Sequence, residues 1–369
     1  MDEQSKNHGN TGSNNHDGNN ESHHDTRNPI LKFYDKHYKN LLIFSILLLV
    51  LSIGAVAYKY ATTGDFVDKG ITLKGGLKIT VETPKTIDTD SLMISLQKQF
   101  PKSDISVTAV GGSGAIKNYE VESSDLTEAD LVSALKIQLP DLAPSPTSSI
   151  DKYSTSIDGP SLGASFFTQT LKALFIAFLF MSLVVYIYFG ESTKIKFLTA
   201  GLSIVAALVM FYATSTLLYI LPILILAGLC VIYFRDNIPS FGIMLCAFSD
   251  VFFSLAVFNI VGLKLNTAGV AAFLMLVGYS IDTDILLAVR VLKRKEGTVF
   301  ERTMGAMKTG MMMSISALIA VLTGYFVSNS SIIKEIMFIL AVGLVGDIIF
   351  TWIQNAGILR WHLDKKGWR

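Results

Sequence analysis

The sequence predicts a polytopic α-helical membrane protein interrupted by one polar α+β domain. Three observations carry this. The 369-residue chain is 50% hydrophobic and only 17% charged, where a soluble globular chain is about a quarter charged. Several apolar runs reach the roughly 18–20 residues that cross a bilayer as a helix. Between the first run and the others lies a polar stretch, residues 61–162, with strand and helix periodicities of its own.

The chain opens on a tail, 1–35, that is expected to be disordered and cytoplasmic. Residues 1–30 are rich in Asn, Gly, His and Ser and nearly free of large apolar side chains, so they bury too little surface to offset their ordering entropy. No signal-peptide pattern precedes the first span. His8, His16, His23 and His24 have the spacing of no defined metal site.

The first span is "LLIFSILLLVLSIGAVAY", 41–58. In the polar stretch that follows, "LKITVE" (77–82) has strand character and "TDSLMISLQKQF" (89–100) is an amphipathic helix. "DISVTAV" (104–110) and "AIKNYEVE" (115–122) flank the glycine turn "GGSG". "TEADLVSALKIQL" (127–139) is a Thr-capped helix and "YSTSI" (153–157) a last strand. The order β-α-β-β-α-β is that of a ferredoxin-like sandwich.

Apolar spans then return near 166–189, 197–214, 216–234, 242–260, 267–288, 309–327 and 335–357, within a bundle at 166–357, and a basic tail at 358–369 ends the chain. The segment 197–234 is charge-free and long enough for two spans joined near Thr214–Thr216, or for one helix kinked at Pro222. Charge asymmetry favours the pair. Lys and Arg gather at 27–39, at Lys194 and Lys196, at Arg235, from Arg290 to Lys308, and in the basic tail. Eight spans put every one of these on the cytoplasmic side, with both termini inside and 61–162 outside.

Four aspartates fall inside the spans: Asp250, Asp282, Asp284 and Asp347. An ionised Asp at a helix centre costs roughly 2.5–3.5 kcal/mol on the insertion scale. Several of them are a heavy penalty unless they face the bundle interior and share protons, partners or water, and acids within a membrane are functional by default. Asp282 and Asp284 stand about 200° apart on a helix, so they do not line one narrow cavity together. Ser280 and Asp284 share a face, and Tyr279 and Asp282 share another. Arg290 follows as the nearest cation in sequence. A purely structural role stays open: the acids could cap backbone, pair with Arg290 or hold a polar group of a neighbouring helix. No Ser-His-Asp, zinc-spaced or phosphate-loop pattern appears, and no enzyme is predicted. His362 is an interfacial residue, "TGMMMSIS" (309–316) is helix packing, and Cys230 and Cys246 are small buried side chains.

Taken together, residues 40–365 resemble the SecF family in its archaeal form, one half of the SecD–SecF export factor of the RND superfamily. "GITLKGG" (70–76), with Gly75 and Gly76, matches the element that opens the family's external domain. Many members have Asp where this chain has Thr72. "DGPSLG" (158–163), with Gly159, Pro160 and Gly163, matches the closing element. The most specific match runs from Ser249 to Arg294. It sets Asp250 where the family has an intramembrane aspartate, and it contains "GYSIDTD", with Gly278, Tyr279 and Ser280. "AMKTG" (306–310) and "DIIFTWIQNAGIL" (347–359) have an archaeal look. Residues 1–35 have no family counterpart, and the hairpin 197–234 reads as an insertion.

The resemblance implies an RND-type half bundle in the cell membrane. It implies an auxiliary subunit of the Sec export machinery that uses the proton gradient, with Asp250, Asp347, Asp282, Asp284 and Arg290 on or beside the proton path. The implied partners are a SecD-like subunit, the Sec translocon channel, exported unfolded polypeptides and membrane lipid, without nucleic acid; no cofactor or metal is implied. The alternatives are an RND-type efflux or lipid transporter subunit, which calls for far larger external domains, and a non-conducting translocon scaffold.

Overall fold

The computed structural model describes residues 29–110, 117–139, 153–213, 215–293, 297–328 and 330–367. The tail 1–28, the "GGSG" turn and Thr214 lie outside the described residues. Helix α1 runs Pro29–Thr63 and departs from helical backbone at His37, where the chain divides into two units, Met1–His37 and Tyr38–Arg369. The helical start at Pro29 corrects the expectation of disorder through residue 35. Proline suits a first helical turn, where its missing N–H has no partner to lose.

In the second unit, a short helix α2 (Ile71–Lys74) leads into β1 (Gly76–Thr83), α3 (Thr89–Gln99), β2 (Ile105–Val110), β3 (Lys117–Ser123), α4 (Glu128–Gln138) and β4 (Tyr153–Asp158). The four strands form one antiparallel sheet in the order β2-β3-β1-β4. Alternation along β1 turns Leu77, Ile79 and Val81 to one face. There they pack with Leu92 and Leu96 of α3 and Leu131 and Leu135 of α4. Both helices start on side-chain caps: Asp88 accepts from Asp90 N and Thr127 from Asp130 N.

The rest is a bundle: α5 (Pro160–Phe189), α6 (Thr193–Tyr212), α7 (Thr216–Asp236), α8 (Ile238–Val261), α9 (Thr267–Lys293), α10 (Val299–Val327) and α11 (Ser331–Ile349). A π-helical stretch, Phe350–Asn355, then leads into α12 (Ala356–Lys365). Among the described residues, 8 helical segments are long and apolar enough to cross a membrane. The last of them runs Ile332–Lys365, so most of the stretch expected as a basic tail from 358 is a helical continuation of this span. The first turns of α10, from Val299, likewise start before the apolar run that marks its span.

α8 and α9 form the centre, each 56% buried over its most apolar window, whereas α10 is at the edge with 11%. α6 and α7 make a hairpin whose Ala206, Leu229 and Tyr233 pack against Leu179 and Tyr186 of α5 and Met244 of α8. Tyr186 and Tyr233 stack with ring centroids 4.6 Å apart.

The α+β domain is tied to the α8–α9 connection. Leu265 N donates to Asp68 O and Gly70 N to Leu265 O, each at 2.7 Å. Thr72 Oγ1 donates to Asn266 Oδ1 at 3.0 Å, and Asn266 N and Nδ2 donate to Glu335 of α11. Lys264 reaches Asp104 at the start of β2 at 2.7 Å. The helices that carry Asp250 and Asp284 are thus joined by a loop clamped to the sheet domain.

Candidate functional site

Three of the four span acids meet inside the bundle. Asp250 comes from the middle of α8, Asp284 from α9 and Asp347 from the end of α11, and all are fully buried. Ser280 of α9, Ser314 of α10 and Thr351, Gln354 and Asn355 of the π-helical stretch surround them, also fully buried. Close helix approach makes the meeting possible. A Cβ on Gly343 of α11 would overlap Leu276 of α9, and one on Gly310 of α10 would overlap the Trp352 indole.

Hydrogen bonds connect the acids across helices. Ser280 donates to Asp250 Oδ2. Ser314 Oγ donates to Asp347 Oδ2 at 3.3 Å, and Tyr279 OH in turn reaches Ser314 at 3.4 Å. Asn355 Nδ2 donates to Asp284 Oδ1 at 2.8 Å. Beside Asp250, Gln354 Nε2 donates to Ser249 at 3.0 Å.

Thr351 is the junction. Its Oγ1 lies 3.0 Å from Asp284 Oδ1 and 3.0 Å from Asp347 Oδ1. A hydroxyl has one proton to donate. It serves one carboxylate, and the second contact is a hydrogen bond only when the other carboxyl donates to Thr351. The bridge is complete with one proton shared by the pair. No salt bridge reaches any of the three acids among the described residues. Asp250 Oδ1 and Asp284 Oδ2 are buried acceptors with no donor among the described residues. The arrangement is a set of acceptor groups that protons complete.

Residues 210–365 match the family model described as Protein export membrane protein SecD/SecF, C-terminal. The Protein-export membrane protein SecF of Pyrococcus furiosus is 31% identical over 334 residues, which cover 89% of this chain and 92% of that protein. The chain belongs to the SecF family. The SecF of Methanothermobacter thermautotrophicus is 29% identical over 89% of this chain and 94% of its own length. Among solved structures, SecDF of Thermus thermophilus, a translocon-associated membrane protein, superposes with a TM-score of 0.55 at 16% identity. That likeness bears on fold alone. It covers 92% of this chain, which spans 39% of the longer SecDF chain.

The motifs that carried the SecF resemblance sit at defined places. Gly75, between α2 and β1, and Gly76, the first residue of β1, both have positive φ. At Gly76 a Cβ would stand 2.6 Å from Ser123 O. Gly159 caps α5, Pro160 opens it, and a Cβ on Gly163 would stand 2.7 Å from Gly75 N. The opening and closing elements of the α+β domain therefore touch each other through glycine.

Asp282 and Arg290 stand outside the cluster. Asp282 is exposed on the outer side of α9. Arg290 donates to Gly305 O at 2.5 Å and forms no ion pair with the span acids among the described residues. The 200° separation of Asp282 and Asp284 has this consequence: one turns in and the other out. Thr351, Gln354, Asn355 and Ser314 were not singled out from the sequence. A signal was present for three of them. Asp347, Thr351, Gln354 and Asn355 recur at i, i+4, i+7 and i+8 in an apolar segment, the spacing of one helix face.

Proposed function

We propose that this chain is an auxiliary membrane subunit of the Sec protein-export machinery. It works with a SecD-like subunit beside the translocon channel and uses the proton gradient to help draw unfolded polypeptides across the membrane. In this reading both termini are cytoplasmic, the ferredoxin-like α+β domain is external, and the bundle is an RND-type half completed by the partner's helices. The membership in the SecF family supports the export role. The carrying observation for proton use is the Thr351 bridge between Asp284 and Asp347, with Asp250 beside it. Proton entry or loss there changes which group donates, and so changes how α8, α9 and α11 hold one another. The clamp of Asp68, Thr72 and Asp104 on the α8–α9 connection gives that change a route to the external domain. One charge crossing 100 mV supplies about 2.3 kcal/mol, enough to bias a conformational cycle.

The test uses the chain and its SecD-like partner in sealed vesicles. Asp250→Asn keeps the shape of the side chain and cannot release a proton. It is expected to insert and bind the partner as the unaltered chain does, while proton-driven export is lost; Asp250→Glu keeps part of it. Export at the normal rate under a gradient, or failure of Asp250→Asn to assemble at all, removes Asp250 from the relay.

A further inference from the structure

Ala271, Met275, Gly278 and Asp282 fall at i, i+4, i+7 and i+11 of α9, so they form one ridge along the helix. Ala271, Met275 and Asp282 are exposed. A Cβ on Gly278 would have nothing within 4 Å. Asp282 lies two turns inside Arg290, about 12 Å along the axis. It has no hydrogen bond or ion pair among the described residues. The inner side of α9 is occupied differently: Val277, Ile281 and Ala288 pack in the core and Asp284 joins the buried acids.

Hydrocarbon is a poor surround for a carboxylate at that depth, and intramembrane acids face protein or water. Another helix is the cover that fits. Gly278, one turn from Asp282, is the kind of small residue over which helices approach closely in membranes. A second copy of this chain fits badly, because a two-fold pairing on this ridge sets Asp282 against Asp282. The complement is a cation on a different chain.

We propose that the Met275–Gly278–Asp282 ridge of α9 docks a transmembrane helix of the SecD-like partner that presents a lysine or arginine to Asp282. This rests on the SecD-like partner named above and specifies the face that receives it.

The experiment uses the full chain co-expressed with its SecD-like subunit. A benzophenone amino acid is placed at Met275, and as a control at Leu208, which is exposed on the α6–α7 hairpin. Irradiation is expected to give a covalent adduct with the SecD-like subunit from position 275 and none from 208. Asp282→Leu suits a lipid-facing site but leaves a partner cation unpaired. It is expected to lower recovery of the partner about three- to tenfold, and Asp282→Glu to restore it. An adduct with lipid or with a second copy, or undiminished recovery with Asp282→Leu, overturns the docking face while the partnership stands. If the unaltered chain recovers no SecD-like subunit, the partnership itself fails and the docking face with it.

Discussion

Asp284 on α9 and Asp347 on α11 share one hydroxyl: Thr351 Oγ1 lies 3.0 Å from a carboxyl oxygen of each. The two helices are thereby joined through an atom whose donor direction depends on where a proton resides. Cys246 of α8 also approaches Thr351, at 3.7 Å, so three helices converge on this side chain.

Thr351→Val removes the hydroxyl and little else in shape. It leaves two buried carboxyl groups short of a partner, at about 1–3 kcal/mol for each unsatisfied group. The variant is expected to melt at a lower temperature and to lose proton-driven export by about tenfold or more. Thr351→Ser, which keeps the hydroxyl, should retain both. Export and thermal melting measured on the same purified complex check this. Normal export by Thr351→Val would show that the bridge plays no part in the cycle.

The sequence made the membrane helices and the sheet domain legible for a simple reason. Apolar run length and strand alternation are local properties, and they mark the α8 and α9 spans as clearly as they mark Leu77, Ile79 and Val81 on β1. The expense of Asp250, Asp284 and Asp347 in a span is also local. Their meeting is not. Asp284 and Thr351 lie 67 residues apart, and Thr72 and Asn266 lie 194 apart; periodicity carries no information on which faces of two helices will meet. The outward turn of Asp282 was half legible. Helix geometry separates it from Asp284, but only the packed bundle decides which of the two points inward.

Asp104 and Glu122 on the sheet domain are expected to respond to pH in opposite senses. Burial alone would raise Asp104, but the Lys264 and Lys74 ammonium groups outweigh it and hold the carboxyl below its usual range. Its contribution to stability is therefore present above the unfolded value near 3.9 and fades as pH falls through the native one. Burial pushes Glu122 up, with Lys78 only partly offsetting it. Its penalty is absent below about pH 4 and grows as pH rises through the native value. At pH 7, Asp104→Asn should lower the melting temperature of the full chain and Glu122→Gln should raise it. The Glu122 difference should disappear near pH 3, whereas the Asp104 difference should fade only as pH falls through its lowered native value; the Asp104 effect should also shrink in high salt, as befits a partly exposed ion pair. Two shifts of the same sign at pH 7 would contradict the assignment.

The last prediction concerns the α6–α7 hairpin. Lys194 and Lys196 begin α6 and Arg235 lies in the last turn of α7, so the charged ends of both helices are together at one end of the pair. The other end has no charged residue of its own between Tyr212 and Thr216. There Lys172 of α5 donates to Ala213 O at 2.7 Å, placing a cation against the backbone carbonyls that close α6. A 20-residue helix such as α6 is about 30 Å long, the thickness of the bilayer core. With the basic ends on the cytoplasmic side, the turn emerges outside. Ser215→Cys in intact cells should therefore react with a membrane-impermeant thiol reagent. A cysteine at Lys194 should react only after the membrane is opened; Cys246 is buried and Cys230 half-buried, so background is low. Labelling of Ser215→Cys only from the inside would mean that α6 and α7 do not both cross. The stretch from Arg290 to Lys308 would then lie on the opposite side of the membrane, against its charge.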